Sequence, residues 1–493
     1  MNGAVSLVKT LLAGGVDVCF ANPGTSEMHF VAALDEHPEM RCILCLFEGG
    51  ATGAADGYSR MSGDVAATLL HLAPGFANGW ANTHNASKAG SGMLNIVGDH
   101  ADYHQKFDSP LRSDLPAVSR AVSDWSRIAL DGEAVATDGA AALRAARSRN
   151  GQIATLILPA NSAWGDATSP AEIAPPPALH RPTAKAIADA AKALQTQGAV
   201  LFVGGAALHG PCARLAGQIA TKTGCRLMAD FLVSRVERGE GAVAMERLDY
   251  SIDANVDFMA EIETMVLCGT GRPVAFFAYP GKPSTPEPPG CQVFELCDAA
   301  MDCEWTLRAL IEALDAAEAQ PALIPLSLPA LPTGPLSSEK VGQALAALMP
   351  EGTIMVDESI TNCGPIIEPT YSARRHDWLH VTGGAIGYSM AASVGAAIAC
   401  PDRPVIAAIG DGSAMYTLQS LWTMARENLN ITVLIFANRG YQILHGELTN
   451  LGVAKAGRNA KRMFDVDEPL LNWVSLAKGH GVSATRIRHT DEF

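Results

Sequence analysis

An apolar run, "VIAAIG", ends in Gly410, Asp411, Gly412 and Ser413, and a later one, "ITVLIFA", ends in Asn438, Arg439 and Gly440. A carboxylate, a carboxamide and the Gly440 carbonyl on neighbouring strand tips are all hard oxygen donors. Completed by diphosphate oxygens and water, they make an octahedral site suited to Mg2+. The glycines around Asp411 would let the chain turn sharply and let a diphosphate approach main-chain N–H groups, with Ser413 as a further donor. Gly-Asp-Gly by itself is equally an ordinary turn, so the weight rests on its pairing with Asn438.

The whole block, "GDGSAMYTLQSLWTMARENLNITVLIFANRGY", resembles the thiamine diphosphate motif of the acetolactate synthase, benzoylformate decarboxylase and pyruvate decarboxylase superfamily. The resemblance implies that Asp411, Asn438 and Gly440 hold Mg2+ and that Gly410, Gly412, Ser413 and Tyr441 line the cofactor. In "TGGAIGYSMAAS" it places Ile386 as the aliphatic wedge under the two rings, with Gly384 leaving them room. Activating this cofactor requires a carboxylate against its pyrimidine, in an apolar setting that strengthens the hydrogen bond. Glu48, in "CLFEGGATGAADGYSRMSG", stands where the family has that glutamate, and Gly57, Tyr58 and Arg60 match the Gly-Tyr-x-Arg that follows. A glutamate favoured by a helix dipole is the bland alternative; the presence of both motifs in one chain favours the catalytic one. In the family these two motifs meet across subunits, which implies an obligate homodimer, doubled to a homotetramer.

Substrate-side residues follow from the same resemblance. Thr25, in "NPGTSE", stands where benzoylformate decarboxylases have a substrate-facing serine, and His71, in "LLHLAPG", where they have a histidine that transfers protons. Two departures stand out: Phe277 replaces the second histidine, and Leu444 replaces the glutamate of pyruvate decarboxylases, with His445 and Glu447 following. Phe277, Trp80 and Ile443 are expected to shape an apolar pocket, with Asn362 and Cys363 at its rim. His84, His100 and His104 are read as rim residues and not as metal ligands. "LFVGGAALHG" lacks a full G-x-G-x-x-G, so FAD is not expected. The implied activity is decarboxylation of a small-molecule 2-oxo acid. Carboligation follows if the product carbon attacks a second carbonyl, and an aldehyde is released if it is protonated. A non-catalytic relative is a third reading, disfavoured by the intact Glu48, Asp411 and Asn438.

Positioning these residues calls for strands that alternate with helices. Runs such as "MLNIVGD", "AVLFVGG", "TMVLCG" and "TIMVDES" interleave with helical patterns along the chain, which argues for α/β architecture on parallel sheets. Proline-rich stretches at 169–184 and 319–340 read as linkers. Three doubly wound parallel-sheet domains are expected: a pyrimidine-binding domain at 1–168, a middle domain at 185–318 and a diphosphate-binding domain at 337–493. With 493 residues, 48% of them hydrophobic, the chain can bury several cores. A net charge of -15 disfavours nucleic acid. No signal-peptide pattern or membrane-length apolar run is present, so a cytoplasmic protein away from membranes is expected. The 11 cysteines are scattered, as suits reduced thiols, and Cys42 and Cys45 read as packing in a strand. Asp491 and Glu492 resemble the first turn of a helix whose body is missing.

Overall fold

The computed structural model describes residues 1–493, and the chain divides into two compact units. The first comprises Met1–Ala178, Val381–Ile435 and Asn472–Thr485; the second comprises Leu179–His380, Phe436–Leu471 and Arg486–Phe493. The architecture is α/β with mostly parallel sheets, as the alternation of strand and helix patterns predicts.

In the first unit, β1 (Val18–Asn22), β2 (Arg41–Leu44), β3 (Ala66–Leu70), β4 (Met93–Asp99), β5 (Trp125–Ile128) and β6 (Ile153–Pro159) form a parallel sheet in the order β2-β1-β3-β4-β6-β5. Its central strands are buried along their whole length, which explains why they read as unbroken apolar runs and not as alternating ones. The two faces still separate by the two-residue period of a strand. Val18 and Phe20 of β1 enter one core cluster, whereas Cys19 and Ala21 enter the other.

The order β2-β1-β3 fixes the site. The C-terminal ends of these three adjacent strands lead to Glu48, to Thr25–Glu27 and to His71, and strand C-termini are where open α/β sheets carry their ligands. Asn22 Nδ2 donates to the Cys45 carbonyl at 2.7 Å, tying two of these ends together. Cys42 is exposed and Cys45 buried, on opposite sides of the chain.

The helix Glu48–Ser62 packs on the helix Ser389–Ala399 at backbone distance. A Cβ on Gly57 would lie 2.0 Å from the Ala392 carbonyl oxygen, and one on Gly395 would lie 1.7 Å from that of Ala54. Glycine is therefore needed on both sides of the crossing.

The second unit contains β7 (Ala199–Val203), β8 (Arg226–Ala229), β9 (Val236–Arg238), β10 (Glu246–Arg247), β11 (Thr264–Cys268), β12 (Gln292–Cys297), β13 (Thr353–Glu358) and β14 (His376–His380). A parallel sheet runs β10-β8-β7-β11-β12. Separately, β14 pairs in parallel with β13 and antiparallel with β9. The first unit is completed by β15 (Val405–Gly410) and by most of β16 (Ile431–Phe436). The stretches 169–182 and 319–337 hold no helix or strand beyond isolated bridges at His180, Leu323 and Pro335, and Thr490–Glu492 form a short 3-10 turn. No helix is long and apolar enough to cross a membrane.

Candidate active site

Glu48 opens its helix only 8% exposed, and its Oε2 accepts a hydrogen bond from Asn78 Nδ2 at 3.0 Å. Gly75 faces the other oxygen: a Cβ there would stand 2.9 Å from Glu48 Oε1 and 3.3 Å from His71 Cβ. Glu48 and His71 therefore share one wall, and the absence of a side chain at Gly75 lets both pack closely against its backbone.

His71 does not act alone. Its Nδ1 lies 2.8 Å from Glu27 Oε2 and 3.3 Å from Ser26 Oγ. Glu27 is 4% exposed and also accepts the Gly24 N–H at 2.8 Å and the Ser26 hydroxyl. Gly98 in β4 makes room for it, because a Cβ there would come within 1.8 Å of Glu27 Oε1. With Nδ1–H donating to Glu27, Nε2 is the nitrogen left to exchange protons. Leu72, the next residue, has φ of 50°, a left-handed conformation that costs a residue other than glycine of order 1–3 kcal/mol. That strain sits at the turn that aims His71.

Thr25 is exposed at the start of a 3-10 turn, and the hydroxyl beside His71 belongs to its neighbour Ser26. Sequence reasoning missed Glu27, Ser26 and Asn78. A signal for Glu27 existed, since it lies three residues after Gly24 in capping-box spacing; nothing in the sequence marked Asn78.

The segment 382–387 is clamped in the same unit. Asn85 takes the Ala385 N–H on Oδ1 at 3.1 Å and donates to the Ala385 carbonyl at 2.8 Å, while Asn82 donates to the carbonyls of Gly49 and Gly387. Arg60, paired bidentately with the buried Asp56, reaches Thr382 at 3.0 Å. Ile386, half-buried, and Gly384, with φ of 70°, are carried on this braced loop. Trp80 stacks on His84 at 5.6 Å, and His100 contacts Ser109 Oγ at 2.9 Å and the His104 ring at 5.8 Å.

At the end of β15, Asp411 is 2% exposed and its Oδ1 accepts the Gly412 N–H at 2.9 Å, with Ser413 also buried. Gly410 differs from expectation. Its φ is -69°, so no left-handed turn requires glycine; a Cβ would meet nothing closer than Ser413 Oγ at 4.0 Å, and what glycine leaves there is bare backbone.

In the second unit, Asn438 is exposed and its Oδ1 accepts the Gly440 N–H at 3.3 Å, across Arg439 at φ of 66°. Tyr441 N–H donates to the Phe464 carbonyl at 2.8 Å, and Ile443 lies in the helix Gln442–Asn450. Glu447 of that helix accepts hydrogen bonds from Tyr250 at 2.9 Å and Tyr279 at 2.8 Å. Burial, with Glu447 adding to it, pushes the Tyr250 phenol up from its ordinary range. Phe277 is 53% exposed and packs edge-on against Phe276 at 4.9 Å. Asn362 accepts the Ser338 hydroxyl at 2.5 Å, and burial holds the Cys363 thiol well above its usual range.

A braced aliphatic residue, a buried glutamate and a buried carboxylate at a strand tip are the kinds of group that a two-ring cofactor carrying a diphosphate requires. The fold and these sites define a thiamine pyrophosphate-binding protein. The description "Thiamine pyrophosphate enzyme, N-terminal TPP binding domain" matches residues 1–119, and its C-terminal counterpart matches residues 367–493. "Putative acetolactate synthase large subunit IlvX" of Mycobacterium tuberculosis is 46% identical over 496 residues, 100% of this chain and 95% of the relative. Benzoylformate decarboxylase of Pseudomonas aeruginosa is 26% identical over 521 residues, 97% and 92% of the two chains. The structure of the thiamine diphosphate-dependent 4-hydroxybenzoylformate decarboxylase of Rhodococcus jostii RHA1 shares the fold, with a TM-score of 0.84 at 21% identity over 100% and 95% of the two chains. The chain belongs to the thiamine pyrophosphate enzyme family, among its decarboxylases and acetolactate synthase-like enzymes.

Proposed function

We propose that the protein uses thiamine diphosphate and Mg2+ to decarboxylate a small 2-oxo acid and releases the corresponding aldehyde. The observation that carries this reading is the shared wall of Glu48 and His71 around Gly75. Bound there, thiamine diphosphate supplies a nucleophilic carbon and a sink for the electron pair left when CO2 departs.

The chain's own residues do the rest. Glu48, kept in place by Asn78, would hold the pyrimidine by a charge-assisted hydrogen bond and exchange a proton with it. His71, oriented through Nδ1 by Glu27, presents Nε2 to the substrate and delivers the proton that completes the aldehyde. Ile386 would pack against the rings. Asp411 would supply a carboxylate to Mg2+, with Asn438 and the Gly440 carbonyl as the other candidate protein oxygens. We further propose an obligate homodimer in the cytoplasm, in which Glu48 of one chain serves a cofactor whose diphosphate is held by the other.

A second reading, carboligation in the manner of an acetolactate synthase, is favoured by the 46% identity to the relative of that name and by Phe277 in place of a second histidine. The test is incubation with thiamine diphosphate, Mg2+ and a panel of 2-oxo acids, aliphatic and aromatic, following CO2. At least one donor should yield CO2 catalytically; a protein that binds the cofactor yet releases none from any donor contradicts both readings.

A further inference from the structure

Cysteines that lie far apart in the sequence meet at one edge of the second unit's parallel sheet. Cys268 ends β11 and Cys297 ends β12, and the two strands are neighbours. Their pairing is regular from Thr264 to Leu267, which faces Glu295, and then shifts so that Cys268 faces Cys297 and Leu296 is passed over. A bulge of this kind re-aims a side chain, and here it brings two thiols level.

Cys303 joins them as the first residue of the helix Cys303–Ala313, with its Sγ 3.7 Å from that of Cys268. The sulfurs of Cys268, Cys297 and Cys303 all lie within 4.8 Å of one another. Cys212, in the first turn of the helix Gly210–Thr223, contacts the Cys303 thiol but stands outside that group of three. All four side chains are buried, none more than 7% exposed. Gly269, with φ of 75°, curls the backbone around the group: its N–H donates to the Cys297 carbonyl at 2.8 Å, and a Cβ there would lie 3.4 Å from Cys303 Sγ.

We propose that Cys268, Cys297 and Cys303, joined by Cys212 as the ion binds, form a structural site for a single Zn2+ ion, separate from the cofactor chemistry. A tetrahedral ion with Zn–S bonds of about 2.3 Å sets its sulfurs about 3.8 Å apart, close to the Cys268–Cys303 spacing. An all-sulfur set selects a soft or borderline ion over Mg2+, and the separations leave room for one ion, not for a cluster of several. Two helix N-termini point their positive ends at the group and offset the charge of four thiolates around a divalent ion. With Cys212 drawn in from its contact with Cys303 as the fourth ligand, no open coordination position is left, the mark of a structural zinc and not a catalytic one.

The test is elemental analysis of the full-length protein, purified without chelators and saturated with thiamine diphosphate and Mg2+ so that the oxygen site is filled. The expected result is about one zinc per chain, falling at least fivefold in Cys268→Ser and Cys297→Ser and unchanged in Cys225→Ser. Because a ligand variant can fail to fold, the wild-type chain is also grown on Co2+, where sulfur ligation gives an intense thiolate-to-cobalt absorption that oxygen ligands do not. Zinc-free protein that shows no such absorption with Co2+ overturns the proposal. So does a mass lowered by the two hydrogens of a disulfide among these cysteines.

Discussion

The two units hold their functional side chains by opposite means. In the first, Glu48 and Glu27 are 8% and 4% exposed and are locked by hydrogen bonds from Asn78, Gly24 and Ser26 within a shell of glycines. In the second, Asn438 is exposed, and Phe276 and Phe277 are 44% and 53% exposed. A carboxylate in a fixed, partly dry wall works by preorganisation, so its geometry tolerates little change. Exposed aromatic rings recognise by surface and shape, and can be exchanged without disturbing the scaffold. On the proposed function, proton transfer falls to the tightly packed residues and substrate choice to the loosely packed aromatic rings.

This contrast can be broken by mutation. The largest effect is expected for Glu48→Gln, which should lower kcat on the order of 10²- to 10⁴-fold while calorimetry shows thiamine diphosphate still bound. Next comes Gly395→Ala, whose Cβ would fall 1.7 Å from the Ala54 carbonyl oxygen; overpacking of this sort costs about 1–3 kcal/mol, read as a lower urea midpoint.

The third prediction concerns the second unit's own core. Burial, reinforced by Arg238, pushes the His376 imidazole down to about 3, whereas unfolded histidine titrates near 6.5. Its folded value being the lower, the neutral ring contributes stability that is full above about pH 6.5 and is lost as pH falls toward 3. The slope is at most about 1.4 kcal/mol per pH unit. Urea midpoints measured from pH 7 to 5 should fall less steeply in His376→Gln than in the wild type.

Glu27→Gln should lower kcat about tenfold, through the orientation of His71, with KM nearly unchanged and activity partly regained in Glu27→Asp. The smallest effect is expected for Phe277→Ala: a change of a few fold in kcat/KM that differs between aromatic and aliphatic 2-oxo acids, with cofactor affinity intact. A Phe277 variant that loses turnover as completely as Glu48→Gln would dissolve the contrast between the units.

Legibility in the sequence followed the same division. Strands such as "MLNIVGD" and "TMVLCG" were readable because strands buried on both faces are continuous apolar runs. Glu48 and Asp411 were readable because each sits at a strand end inside a motif of fixed spacing. Glu27 and Asn78 were not, because their roles arise when β1, β2 and β3 lie side by side, a relation between separate stretches of chain. Thr25 illustrates the limit at one-residue scale: the 3-10 turn presents Ser26 to His71 and leaves Thr25 exposed. The clustered cysteines were unreadable for the same reason, since a bulge at Leu296 of β12 sets their register.

The central claim, that the Glu48 and His71 wall decarboxylates and then protonates, is tested most directly by counting products. Once a donor is found, CO2 and aldehyde are quantified together in wild type and His71→Ala, with an acceptor aldehyde present. The account predicts one aldehyde per CO2 in the wild type and a loss of aldehyde yield in the variant. A hydroxyketone or acetohydroxyacid formed in step with CO2, unaffected by His71→Ala, would contradict it and establish carboligation.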